Sequence, residues 1–142
     1  MGKTNWGRVV LCGLLTGGVF MAVTAPIFLL ALRETEYVQA LQAARTAAHP
    51  RFEPILVAAP LNLAGGIWIM WIYAAIRPRY GPGPKTATVT ALAGWLAVAT
   101  IELELKSLLL LPISLGGLAV PLAVTLPALV VAALVGAWQY QE

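Results

Sequence analysis

Aspartate is absent from the 142-residue chain, histidine and cysteine occur once each, and only 11% of the residues are charged. Each shortage excludes a class of function. A lone cysteine, Cys12, makes neither a disulfide nor a zinc site, and it reads as a small buried apolar side chain. Leu11 stands before it, where a lipoprotein cysteine needs a small residue. A lone histidine, His49, excludes haem held by two histidines and leaves at most a pigment or quinone on one ligand. Without aspartate, a general acid and base pair falls to Glu102 and Glu104, which diverge on a helix. No serine or cysteine has a base close by in the sequence. The expectation is a non-enzymatic chain with no cofactor and no metal.

The shortage of charge has the larger consequence. A water-soluble domain carries charge on about a quarter of its residues, whereas here 60% are hydrophobic and the mean hydropathy is +0.83. Lipid contact must stand in for the missing charged surface. The apolar residues fall into four blocks, each near the roughly 20 residues a helix needs to cross about 30 Å of hydrocarbon. The predicted fold is therefore all-α: one integral membrane domain over 1–142, a four-transmembrane-helix bundle with spans near 9–32, 54–76, 86–107 and 115–138. A secretory signal is the rival for the first block, because Lys3 and Arg8 precede it and Val23-Thr24-Ala25 loosely resembles a cleavage site. The run from Val9 to Leu32 exceeds the about 7–15 residues of a signal core, and Pro26 would follow the cut, so a retained span is expected.

Every span carries small residues against which another helix packs closely. Span one has Gly13-x-x-x-Gly17, and Pro26 is expected to bend it. Span two holds Pro60, Asn62 and the Gly65-Gly66 pair; span three is rich in alanine, with Gly94; span four pairs Pro121 and Pro127 with Ala128, Ala132 and Gly136. The predicted packing set is Gly13, Gly17, Gly65, Gly66, Ala128, Ala132 and Gly136. Between spans one and two, Tyr37, Val38, Leu41, Ala44 and Ala48 recur at helical spacing against Glu34, Glu36, Gln39, Gln42 and Arg45. That spacing predicts a short amphipathic helix on the membrane surface, with a solvated loop as the alternative.

The stretch YAAIRPRYGPGPKTA, residues 73–87, sets three cations among prolines and glycines. A phosphate-binding loop requires glycine immediately before the lysine, because backbone N–H groups cradle the phosphates. Pro84 has no N–H, Arg79 replaces the first glycine, and no strand precedes, so nucleotide binding is rejected and no nucleic acid is expected. A stiff connector accounts for the residues: Pro78 disfavours helix at Arg77 and ends span two, and Gly81-Pro82-Gly83-Pro84 turns the chain. Arg77, Arg79 and Lys85 then meet anionic headgroups of the lipid bilayer, each cation contributing on the order of 1 kcal/mol.

Lys3, Arg8, Arg77, Arg79 and Lys85 share one side against Arg33, Arg45, Arg51 and Lys106 on the other. The short cationic loop with no acid places that first side, with both termini, in the cytoplasm. Trp6, Trp71, Tyr73, Tyr80, Trp138 and Tyr140 fall at the same boundary as an interfacial belt.

The run from Trp71 to Thr86, WIYAAIRPRYGPGPKT, resembles a loop of small uncharacterised bacterial four-helix membrane proteins, and the Trp6-Gly7-Arg8 start and Gly136-Ala137-Trp138-Gln139-Tyr140 ending are similar to theirs. The resemblance covers the whole chain in layout, with only the loop specific. It implies a four-helix fold in a bacterial inner membrane, and no chemistry.

Ionisable groups inside a span are costly and mark the first place to look for function. Glu102 and Lys106 share a helical face in the favourable order for an ion pair, and Glu104 points away. With span three starting at Thr86, Glu102 lies about 24 Å along the helix, near the interface opposite the termini. Trp68 and Trp95 then meet at mid-depth, and Asn62 comes level with Glu102 for a hydrogen bond. Two functions follow: a structural or accessory component packing with other helices or subunits or associating with itself, or a small transporter or channel for protons, cations or small solutes using Asn62, Glu102, Glu104 and Lys106.

Overall fold

The computed structural model describes residues 5–48, 55–108 and 113–140, and these are almost entirely helical. The helices are α1 (Trp6–Pro26), prolonged by one π turn (Ile27–Ala31), α2 (Glu36–Ala48), α3 (Ile55–Tyr80), α4 (Pro84–Leu108) and α5 (Leu115–Gln139). Four of them, α1 with its π turn, α3, α4 and α5, are long and apolar enough to cross a membrane. The short helix between the first two spans is α2. His49, Arg51 and the 109–111 leucines lie outside the described residues, as do the side chains of Arg45 and Lys106.

Local chemistry sets the ends. Asn5 caps α1, its side chain accepting from the Arg8 N–H at 3.2 Å, and Ser114 caps α5 by accepting from the Gly117 N–H at 2.9 Å. Such caps satisfy N–H groups that the first helical turn leaves without partners. Pro26 withholds a donor and crowds the preceding turn. The helix relaxes there into the wider π turn, with the Leu32 N–H bonded to the Ile27 carbonyl at 2.9 Å.

The connector differs from expectation in one respect. Pro78 does not end span two; α3 runs on to Tyr80, and the Gly81 N–H still bonds the Arg77 carbonyl at 2.8 Å. The pre-proline bias is a preference, and here it yields. The chain turns instead at Gly81 and Gly83, whose φ values of 82° and 129° only glycine adopts without strain. Pro84 then starts α4, a first-turn position where the absent N–H costs nothing.

Antiparallel contacts assemble the bundle. A Cβ on Gly13 would overlap the Ile67 backbone, one on Gly17 would sit 2.5 Å from the Asn62 carbonyl oxygen, and one on Gly66 would strike the Gly13 and Gly17 backbones. The backbones of α1 and α3 therefore touch, as glycine faces allow. Gly136 brings α5 against Thr16 and Met70, and Gly94 brings α4 against Ile69. Ala128 and Ala132 are buried on the inner face of α5. Gly65 is different: nothing lies within 4 Å of a Cβ built on it. Of the neighbouring pair, Gly66 makes the contact and Gly65 faces open space.

At the end bearing the connector, Val9, Cys12, Met70, Tyr73, Ala74, Ala87 and Tyr140 form one buried cluster. The start of α1 and the end of α5 thus lie at the same end of the bundle as the connector. Tyr73 and Tyr140, expected in an interfacial belt, are each 2% exposed, their rings edge to face at 5.8 Å between centroids. Trp6, Trp71, Tyr80 and Trp138 remain on the outer surface.

Candidate functional site

The polar residues of the spans are distributed, not gathered. Asn62 donates its side-chain N–H to the Ala58 carbonyl at 2.7 Å, one turn back on its own helix. Glu102 accepts the Tyr37 hydroxyl at 3.2 Å on both carboxylate oxygens. The expected bond between Asn62 and Glu102 is thus replaced by two separate ones, since the start of α2 reaches Glu102 before α3 does. Glu104, two residues on, is exposed. Of the expected transport cluster, the three residues whose side chains are described, Asn62, Glu102 and Glu104, do not converge.

A pairing that the linear pattern did not suggest stands at the same end. The Glu36 carboxylate accepts the Ser114 backbone N–H at 2.5 Å and the Ser114 hydroxyl at 2.7 Å. A carboxylate at the first turn of α5 meets the positive end of the helix dipole, and the hydroxyl that receives it is itself the cap. Tyr37, the next residue, also packs edge-on against Phe28 with centroids 6.5 Å apart. Adjacent side chains of α2 therefore fasten it to α4 and α5. Ser114 before Leu115-Gly116-Gly117 is a legible cap in the sequence; its distant carboxylate partner is not.

The connector end is equally fixed. The Gly83 N–H donates to the Tyr73 hydroxyl at 3.2 Å, and the Thr86 hydroxyl donates to the Gly81 carbonyl at 2.7 Å. The Arg77 guanidinium lies 5.4 Å from the centre of the Tyr140 ring, a cation–π geometry. Arg79 and Lys85 are exposed, whereas Arg77 is half-buried against α5.

Between the two ends, a cavity of about 200 Å³ opens among all four spans. Its walls are Thr16, Gly17 and Phe20 on α1; Leu61, Asn62, Gly65, Gly66, Trp68 and Ile69 on α3; Gly94, Trp95 and Val98 on α4; and Thr125 and Leu129 on α5. Trp68 and Trp95 thus share this mid-depth space. The Trp95 indole N–H donates to the Leu122 carbonyl at 3.0 Å, and the Thr125 hydroxyl donates to the same oxygen at 3.2 Å. A smaller space of about 40 Å³ adjoins on the α2 side, lined by Phe28, Tyr37, Glu102, Leu118, Pro121 and Leu122, with Val98 and Thr125 common to both. No group of three or more metal-binding side chains occurs among the described residues. Comparison with family models, curated proteins and solved structures finds no match to this chain.

Proposed function

We propose that the chain is a non-enzymatic accessory component of a bacterial inner membrane, packing with other membrane subunits and holding both termini in the cytoplasm. One observation carries this: the polar side chains at mid-span are spent on main-chain carbonyls. Thr16 bonds Cys12, Asn62 bonds Ala58, Thr90 bonds Thr86, and Trp95 and Thr125 bond Leu122. Groups so committed stabilise helices in lipid, and among the described residues they do not line up as a polar file through the bundle. The glycine contacts are used within the chain, so partner subunits meet the outer apolar side chains, such as Leu11 and Leu30, 69% and 79% exposed. The short loop with Arg79 and Lys85 supplies the cytoplasmic assignment.

The second candidate, a small transporter or channel, draws on Glu102 near the outer cavity; Asn62 and Glu104 stand apart from it. Purification in mild detergent is expected to carry other polypeptides with the chain at fixed stoichiometry. Reconstituted proton or cation flux that disappears on Glu102→Gln would reverse the preference and favour transport.

A further inference from the structure

We propose that the interhelical cavity is a seat for one acyl chain of a phospholipid, drawn from the leaflet on the α2 side. α3 and α4 are packed together from their shared loop, where Tyr73 and Ala74 cluster with Ala87, up to the level where Ile69 meets Ala91 and Gly94. Above that closure the wall residues that are themselves exposed, Leu61, Trp68 and Val98, belong to α3 and α4. The opening therefore lies between those helices and faces lipid, and the space extends from mid-span toward α2.

The chemistry of the wall selects the occupant. The donors of Thr16, Trp95 and Thr125 and one N–H of Asn62 are committed to backbone carbonyls, and the rest of the wall is mostly apolar, so the space offers chiefly hydrocarbon contact. A dry apolar cavity of roughly 150 Å³ already takes a benzene-sized molecule, and this one is about 200 Å³. An empty space of this size forfeits dispersion contacts along its whole lining, and an acyl chain is the apolar group present at that depth in a bilayer.

Gly65 supplies the test, because it lines the cavity while leaving room for a side chain. Gly18 has the same freedom on the exposed face of α1 and does not line the cavity, so it serves as the control. The full chain is reconstituted in phosphatidylcholine vesicles containing a phosphatidylcholine with a mid-chain diazirine, irradiated, and its adducts mapped by peptide mass spectrometry. Adducts are expected to concentrate on residues 61–69 and 94–98. In Gly65→Phe they should fall by about tenfold, since a filled cavity has no space for a chain, with no fall in Gly18→Phe. Val98→Phe, tested alongside, should give the same loss and keeps the question decidable if Gly65→Phe does not fold. Labelling spread evenly over the lipid-facing helices and unchanged by either cavity variant overturns the proposal. So does labelling by a free diazirine fatty acid with none by the phospholipid. Neither result depends on whether partner subunits exist.

Discussion

Two adjacent glycines with opposite surroundings give the sharpest residue-scale contrast. Gly66 lies against the α1 backbone and Gly65 against open space. Gly66→Ala should destabilise the bundle by about 1–3 kcal/mol, because the backbones must separate to admit a methyl group. Gly65→Ala should stabilise it by about 0.5–1 kcal/mol through helix propensity alone. Thermal unfolding of the two variants in detergent, followed by circular dichroism, should move the midpoint in opposite directions. Tyr73 belongs to the same scale. Removing its hydroxyl in Tyr73→Phe takes the acceptor from the Gly83 N–H and should cost about 1 kcal/mol, read as a lower midpoint with the span helices retained.

Among the elements, α2 is held by a pair of neighbouring side chains, Glu36 on the start of α5 and Tyr37 on Glu102. Removing the Glu36 carboxylate takes away an anion from a helix N-terminus and two bonds to Ser114, a loss of about 1–2 kcal/mol. Glu36→Ala should therefore raise hydrogen exchange of the backbone amides of α2 and of the first turn of α5, while the amides of α1 and α3 keep their protection. Equal exchange in the variant and the parent would show that α2 is held by its apolar face and not by these bonds. Helix existence here was legible from the spacing of Tyr37, Val38 and Leu41. Its attachment was not, because Glu36 and Ser114 are 78 positions apart and no local pattern pairs a cap with a distant carboxylate.

The whole molecule places the start of α1, the end of α5 and the connector at one end of the bundle. Reporter tags fused at the two termini should accordingly report the same compartment, and carbonate washing should leave the protein in the membrane fraction. Tags in opposite compartments would mean that one of the four candidate spans does not cross. At this scale the intramembrane polar residues also part company: Asn62 lies in the mid-span cavity, Glu102 under α2, and Glu104 at the surface.

Composition and spacing alone marked four helices long and apolar enough to cross a membrane, because satisfying a backbone in hydrocarbon is a demand on each segment separately. The Gly81 and Gly83 turn was readable for the same reason, since backbone freedom is a property of the residue itself. Tertiary structure decided which glycine of a pair touches a neighbour, that Tyr73 and Tyr140 turn inward, which carboxylate reaches which hydroxyl, and that a cavity lies among the four spans. Those outcomes depend on the rotation of each helix about its axis and on where two helices cross, and both are fixed only when several faces pack at once.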